Sequence, residues 1–333
     1  MRKPLDGFGR SRQVAMVTID VDTLHDLFPG YQGSEDSVYE YGLPRLEELL
    51  AQEGVRATLF VAGNDLRRQS TNQKWIRRFA EGGHEIANHS TSHPQGFAFL
   101  PRSRKEAEIV DAGKTIGDVI GRPPVGFRAP GWNVDEETLD ILEEHSYLYD
   151  SSVFPTWLSG LFKLTYWLKK RVGRMRGDRT TMGRWSYQFA PATPYQPGRP
   201  LWRRGDRRLL EIPLMTVPGI RLPFFGTFSF LVGEGAHRAC FNLIRQTSWP
   251  LNYSLHGVEF VDHSSDGMSD VLNEFKGEYI PHTLTLSWPR KQLFLQKTFA
   301  MFRSSYEFVT METFARMVRE SPPMLSCHVG QRL

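Results

Sequence analysis

Segments typical of strands and of helices alternate along the first half of this 333-residue chain. The predicted strands are 14–19, 55–62, 84–87 and 125–127, and the predicted helices are 43–52, 74–80, 103–120 and 135–145. Alternation at this spacing favours an α/β fold with a parallel sheet, either open or closed into a barrel. The alternation resumes with 209–217, 251–256 and 311–319. The segment at about 155–208 breaks it, and we interpret that segment as an insertion.

Chemically reactive side chains follow several of the predicted strands. They are Asp20, Asp22, His89, Arg128 and His256. In parallel α/β folds, active sites form where the carboxyl ends of the strands meet their loops. We therefore expect these five residues to lie close together.

The first candidate motif is Asp20-Val21-Asp22, which directs two carboxylates to the same face of an extended chain. One carboxylate can ligate a metal while the other accepts a proton from a nearby water. The pattern is weak alone, because it also occurs by chance, at helix caps and in metal-dependent glycosyltransferases.

The second motif is His89-Ser90-Thr91-Ser92-His93. The i, i+4 spacing predicts both imidazoles on one face of a helical turn, a geometry that a divalent metal accepts. Neutral imidazole suits zinc and related transition metals, and a carboxylate would complete a three-ligand site. The alternative is a pair of surface histidines.

Two further residues have chemistry that fits such a site. Arg128 can hydrogen-bond a carboxylate and keep it ionised at neutral pH, and its alternative role is an ordinary salt bridge. His256 ends an apolar run and offers a group for proton transfer. A lone histidine is more often structural.

Six motifs occur in an order that resembles the polysaccharide deacetylase family, also called NodB-homology proteins or carbohydrate esterase family four. They are TIDVD (18–22), HSTSH (89–93), FRAPGW (127–132), YLYDSS (147–152), LEIPL (210–214) and SLHG (254–257). The resemblance spans most of residues 14–262 and implies a distorted, incomplete β/α barrel. The expected organisation is a tail (1–12), one barrel domain (13–320) that includes the basic insertion, and a second tail (321–333).

The resemblance also implies catalytic roles. Asp20 would be the general base, Arg128 would orient it, and His256 would be the general acid. The residues expected at the substrate or at the oxyanion are Gly131, Trp132 and Leu255.

The resemblance further implies that Asp22, His89 and His93 bind one divalent metal ion. Zinc is expected, and other transition metals also suit these ligands. The common family motif has adjacent aspartates, whereas Val21 separates them here. This DxD form resembles a branch that contains some peptidoglycan and lipid-linked sugar deacylases together with non-sugar amide hydrolases. Gly131-Trp132 also stands where secreted polysaccharide enzymes carry an aromatic residue followed by glycine.

Basic residues are concentrated between Lys163 and Arg208, where thirteen Lys and Arg stand against two acids, although the net charge of the chain is only +4. Such a block predicts an anionic partner, or else a solvated loop. Within it, 157–171 has the pattern of a basic, aromatic-rich amphipathic helix suited to the water–lipid boundary. A second apolar stretch, 222–231, could join it, or both could pack on the barrel. The candidate membrane-facing residues are Trp157, Leu161, Phe162, Trp167, Lys169, Lys170 and Arg171.

Further features bear on the compartment. No run of about 18 apolar residues is present, the first residues lack a secretory signal, and two cysteines cannot form a disulfide framework. We therefore expect a cytoplasmic protein, peripheral on the inner face of the cell membrane. Its expected partners are an N-acylated sugar on a polyprenyl phosphate and the anionic membrane surface. Nucleic acid is not expected, because the basic run lacks a recognition motif.

The expected reaction is the metal-dependent hydrolysis of an acetyl or formyl amide on an amino sugar. One alternative is a soluble hydrolase of linear or cyclic non-sugar amides. Another is a non-catalytic glycan- or lipid-binding relative, although a dead copy has no chemical need for the complete set of metal, base and acid residues.

Overall fold

Parallel strands connected by helices make up most of the computed structural model, which describes residues 13–28, 31, 36–160, 184–266, 268–274 and 282–320. The strands are β1 (Gln13–Asp20), β2 (Ala57–Val61), β3 (Glu85–Asn88), β4 (Gly126–Phe127), β5 (Tyr149–Asp150), β6 (Leu210–Glu211), β7 (Leu251–His256) and β8 (Tyr306–Phe308). The α-helices are α1 (Leu24–Leu27), α2 (Leu43–Glu53), α3 (Gly63–Arg68), α4 (Ser70–Glu81), α5 (Arg102–Ile120), α6 (Glu136–Glu144), α7 (Gly226–Ile244), α8 (Met268–Glu274), α9 (Trp288–Arg303) and α10 (Met311–Glu320). Within the described part, no helix combines the length and the apolar character that a membrane span requires.

The sheet is parallel throughout, in the order β6-β5-β4-β3-β2-β1-β7, and β8 pairs with the first residues of β1. A side chain joins the two ends of this order, because Asn252 Nδ2 on β7 donates to Pro213 O, just past β6, at 2.9 Å. The sheet therefore curls into a barrel. Between its two end strands, β6 and β7, a side-chain hydrogen bond takes the place of backbone pairing. This confirms the predicted α/β fold with an incomplete β/α barrel.

Alternate residues of β1 face opposite sides of the sheet, as the pleat requires. Val17 and Ile19 join the largest apolar cluster, which also contains residues of α2, α7 and α9. Thr18 and Asp20 face the barrel interior, where both contact Arg128. The interior of the barrel is therefore polar at the carboxyl end of β1, and the candidate site lies there.

The C-terminal half of the insertion, residues 184–208, packs on the barrel. Tyr187, Ala190 and Leu201 are fully buried in an apolar cluster that includes residues of α6. Residues 195 and 211 form an antiparallel bridge that attaches this segment to β6. A solvated loop is therefore the wrong description of this half.

Arginines of this half pair with acids at and around α6. Arg207 Nη1 lies 2.7 Å from Asp140 Oδ1 and 2.9 Å from Glu143 Oε2. Arg199 also contacts Asp140, at 2.6 Å, and Arg184 lies 3.6 Å from carboxylates at the start of the helix. These three arginines therefore have acidic partners within the fold, and the anionic partner predicted for the basic segment stays a prediction.

Several predicted features lie outside the described residues. These are the two tails, 1–12 and 321–333, and the insertion residues 161–183, which carry seven of the thirteen basic residues. Six of the seven membrane-facing candidates fall there, namely Leu161, Phe162, Trp167, Lys169, Lys170 and Arg171. The single-domain boundaries stay a prediction.

A buried carboxyl at the amino end of β3 predicts how stability depends on pH. Glu85 accepts hydrogen bonds from Thr58 Oγ1, Tyr149 Oη and the backbone N–H of Glu312 on α10. Burial raises the pKa of Glu85 from 4.5 to about 7, although these bonds lower it. The folded state therefore favours the protonated form, and this contribution to stability, complete below pH 4.5, is lost as the pH rises through 7.

We predict that Glu85→Gln stabilises the protein above pH 7 by about 1–3 kcal/mol relative to wild type, because glutamine does not ionise. Melting temperatures at pH 5 and pH 8 measure the effect, and the variant should lose fewer degrees between them. Glu81→Gln, on the exposed end of α4, is the matched control and should follow the wild type. Equal pH dependence in wild type and Glu85→Gln would contradict the prediction.

Candidate active site

Asp22, His89 and His93 form a compact cluster beyond the carboxyl ends of β1 and β3. Oδ1 of Asp22 lies 3.3 Å from Nε2 of His89 and 3.4 Å from Nε2 of His93. All three residues are nearly buried. Burial opposes ionisation of Asp22, but the nearby charges of His93 and His89 outweigh it and hold the pKa of that carboxyl well below its usual range. The aspartate is therefore ionised and faces two imidazole nitrogens.

The two histidines converge through a loop and not through the predicted helical turn, which is a correction. Ser90 and His93 have positive φ angles of 69° and 48°, which a helix does not contain. The carboxylate of Glu108 on α5 accepts hydrogen bonds from the backbone N–H groups of Thr91 and Ser92 at 3.0 and 2.7 Å. The loop conformation therefore depends on a buried acid 15 residues further along the chain.

The other ring nitrogen of each histidine lies near an oxygen atom, but only that of His89 is within hydrogen-bond distance. Nδ1 of His89 donates to the backbone oxygen of Arg128 at 2.7 Å, which fixes its tautomer. Nδ1 of His93 lies 3.7 Å from Oδ1 of Asp26. Both Nε2 atoms face Asp22.

These residues fit a divalent metal ion. Their three ligand atoms lie within 4.8 Å of one another. Oδ1 of Asp22 and Nε2 of His93 are among the described buried atoms without a hydrogen-bond partner, so both are available to ligate an ion. A His-His-carboxylate set suits zinc and related transition metals.

Asp20, at the end of β1, is held by Arg128. The guanidinium is fully buried and its Nη1 donates to Oδ1 of Asp20. The same nitrogen lies 3.1 Å from Oγ1 of Thr18 and from Oγ of Ser254, and Nε donates to Ser151 O at 2.9 Å. Oδ2 of Asp20 stays free of this bond and faces the site, where it lies 3.9 Å from Nε2 of His256.

His256 lies at the end of β7, between two carboxylates. Nδ1 lies 3.9 Å from Oε1 of Glu259, which is buried and accepts a bond from Thr227 Oγ1 at 2.6 Å. Burial lowers the pKa of His256, but the nearby carboxylates of Glu259 and Asp20 raise it to about 9. The imidazole is therefore protonated at neutral pH. Gly226, which opens α7, leaves room for this carboxylate, since a Cβ there would lie 2.2 Å from Oε2 of Glu259.

Aromatic rings form one wall of the site. The ring centroid of Trp132 lies 5.9 Å from that of His256 and packs edge-on against Phe154 and Phe225. The apolar stretch 222–231 thus contributes Phe225 to this wall and is not free as a whole to face lipid.

The backbone before Trp132 turns sharply, because Gly131 and Trp132 have φ angles of 60° and 56°. Leu255 is fully buried, and a Cβ on Gly226 would lie 2.5 Å from its Cδ2.

The structure thus brings Asp20, Asp22, His89, His93, Arg128 and His256 into one site. It sets Trp132 beside them and Leu255 under the start of α7.

Three carboxylates of the site were not predicted from the sequence. Glu259 lies three residues after His256, a spacing typical of a helix cap that could have drawn attention to it. Asp26 and Glu108 carry no such signal, because their partners lie on other segments of the chain.

Comparison with known proteins identifies the family of this domain. The polysaccharide deacetylase family model matches residues 34–149. A peptidoglycan deacetylase of Helicobacter pylori is 28% identical over 144 residues, which cover 40% of this chain and 47% of that protein. A chitooligosaccharide deacetylase of Rhizobium leguminosarum is 37% identical over 87 residues, which cover 26% of this chain and 36% of that protein. These matches span less than half the length of each relative.

Two crystal structures of proteins assigned to the polysaccharide deacetylases share the fold. The protein from Mycobacterium smegmatis matches with a TM-score of 0.59 at 21% identity, over 98% of both chains. The protein from Pseudomonas aeruginosa matches with a TM-score of 0.56 at 16% identity, over 94% of this chain and 93% of its own. Residues 34–149 therefore carry a polysaccharide deacetylase domain, and the family resemblance that the motifs predicted is confirmed.

Proposed function

We propose that this chain is a metal-dependent hydrolase that removes an N-acyl group, acetyl or formyl, from an amino sugar. The observation that carries the proposal is the asymmetry of the site. On one side, Asp22, His89 and His93 offer three ligand atoms, and on the other Asp20 keeps an oxygen free beside His256. Hydrolysis of an amide needs such a division between a metal, a base and an acid.

Asp22, His89 and His93 would hold one divalent ion, with zinc the expected metal. When bound, that ion supplies a Lewis acid that polarises the amide carbonyl and acidifies water. Asp20 accepts the proton of the attacking water through its free oxygen. Arg128 orients this carboxylate, because it holds the other oxygen.

His256 donates a proton to the departing amine. Glu259 supports this role, because its carboxylate keeps the imidazole protonated at neutral pH. The backbone N–H of Gly131 is the candidate donor to the oxyanion, and Trp132 with Leu255 would line the substrate. All these roles agree with the family resemblance, in which the DxD spacing suggests the branch of lipid-linked sugar deacylases.

We further propose that the sugar is carried on a polyprenyl phosphate and that the enzyme works at the cytoplasmic membrane face. An exposed aromatic patch supports this proposal. Its members are Trp157, Trp185, Phe189 and Ile220, with exposed fractions of 48, 63, 66 and 49%. Nε1 of Trp157 donates to Ile220 O at 2.7 Å, and a Cβ on Gly160 would lie 2.8 Å from Trp185 Nε1, so these segments adjoin. Exposed tryptophans beside a basic segment suit the interface of an anionic bilayer.

The direct test of the chemistry is mass spectrometry of candidate N-acetyl and N-formyl sugars on polyprenyl phosphates, incubated with the protein and zinc. We expect a loss of mass equal to one acyl group, and we expect a chelator to abolish it. Hydrolysis of a cyclic imide in place of every sugar would favour the non-sugar amide alternative. No turnover by zinc-loaded protein would favour a non-catalytic binding relative.

Two variants separate the roles of the aspartates. Asp20→Asn should lower the rate by about 10²–10⁴-fold and leave zinc affinity, measured by calorimetry, nearly unchanged. Asp22→Asn should weaken zinc binding itself, since it removes a ligand. Loss of zinc in Asp20→Asn would reassign the roles.

The membrane proposal predicts that the protein binds vesicles containing phosphatidylglycerol and sediments with them. The double variant Trp157→Ala/Trp185→Ala should bind about tenfold more weakly, because it removes two large apolar side chains from the interface. Met317→Ala is the control, since Met317 is 47% exposed on α10 and belongs to another surface. Wild-type protein that ignores these vesicles, or a double variant that binds equally well, would overturn the membrane proposal without affecting the deacylase proposal.

A further inference from the structure

Two buried acids at the ends of β5 and β6 have no part in the proposed reaction. Asp150 belongs to the YLYDSS motif and Glu211 to the LEIPL motif. They lie opposite each other in the register of the two strands, and both are fully buried. Uncompensated burial of two negative charges side by side is unfavourable, so their state requires an explanation.

The contacts of the two carboxyl groups explain how both acids are accommodated. Oδ1 of Asp150 accepts from Ser152 Oγ at 2.6 Å, and Oε1 of Glu211 accepts from the backbone N–H of Val153 at 3.0 Å. The remaining oxygens, Oδ2 of Asp150 and Oε2 of Glu211, are both buried, and neither has a hydrogen-bond partner among the described residues. Two ionised carboxylates would place two negative charges side by side with no donor for these oxygens, whereas a single proton would let the pair hydrogen-bond to itself.

The charged and titratable groups around the pair are consistent with a single proton. Burial and then the charge of Asp150 raise the pKa of Glu211 well above its ordinary value. Burial also raises the pKa of Asp150, although the neighbouring Glu211 and the hydrogen bond from Ser152 lower it. Arg128 is a cation that faces both acids. Tyr195 lies close enough for the negative charges of both acids to act on its hydroxyl group. Tyr187 likewise lies within reach of Asp150.

The pair is connected to the catalytic arginine through the residues between and after it. Ser152 Oγ, which donates to Asp150, accepts from the backbone N–H of Ala129 at 2.8 Å. The backbone oxygen and Oγ of Ser151 each accept from the guanidinium of Arg128 at 2.9 Å. The carboxyl pair therefore holds segment 151–153 at Ser152 and Val153, and Arg128 contacts the first residue of that segment, Ser151.

We propose that Asp150 and Glu211 share one proton and act as positioning residues, which fix segment 151–153 and thereby hold Arg128 against Asp20. A second negative charge on the pair would break the bond between the two acids and release that segment. This inference rests on the proposed function only for its kinetic test.

The first experiment detects the shared proton without any activity. Difference infrared spectra of wild type against Glu211→Gln and against Asp150→Asn, at neutral pH, isolate the C=O band of a protonated carboxylic acid. Each variant supplies an amide donor in place of the proton, so the band should be lost in both. A band that persists in Asp150→Asn would mean that Glu211 holds its proton independently, which would overturn the sharing.

The second experiment tests positioning. Glu211→Gln preserves the bond to the ionised Asp150 and should keep kcat within about threefold of wild type at pH 7. Glu211→Leu removes this bond and should lower kcat by about tenfold or more. The change in KM should be smaller, because the base loses its orientation while the contacts with the substrate stay unchanged. At alkaline pH, Glu211→Gln should retain more of its melting temperature and kcat than wild type, because its donor does not ionise.

Equal losses of kcat in the glutamine and leucine variants, or none in either, would contradict the positioning role. Superimposable pH profiles of melting temperature for wild type and Glu211→Gln would do the same. If the leucine variant does not fold, the infrared spectra and the pH profile of Glu211→Gln still decide the question. A wild-type enzyme without deacylase activity would contradict the proposed function while the infrared and melting results stand.

Discussion

The ion pair between Arg128 and Asp20 is the interaction on which the site depends. Burying two charges costs several kcal/mol per ion and is offset only where the pair is fully hydrogen-bonded. Arg128 meets this condition with contacts from Thr18 on β1, Ser254 on β7 and Ser151 just past β5. One side chain that follows β4 therefore links three other strands, and the barrel interior is polar because this arginine must be solvated by protein groups.

The same residue connects the two halves of the proposed chemistry. Its guanidinium holds the candidate base, Asp20, while its backbone oxygen accepts a hydrogen bond from His89 Nδ1 and so turns Nε2 toward Asp22. The distance between base and metal ligands is thus set by a single residue and by the strand register around it. Displacement of Arg128 should affect both halves together.

The sequence predicted the site residues because polar groups at the ends of parallel strands must meet at one edge of the sheet. It did not predict the conformation of the histidine loop. That conformation requires positive φ angles at Ser90 and His93 and is held by Glu108, which lies on helix α5. A charge count along the chain also misjudged Arg207, because the acids that neutralise it belong to α6. Contacts between distant segments decided each of these cases.

The most direct test is anomalous diffraction at the zinc edge from crystals of the zinc-loaded protein. The predicted result is one peak within bonding distance, about 2.0–2.2 Å, of Asp22, His89 and His93, while Asp20 stays on Arg128 and makes no bond to the metal. A peak bonded to Asp20, or no peak at the histidine pair, would contradict the division of roles between the two aspartates.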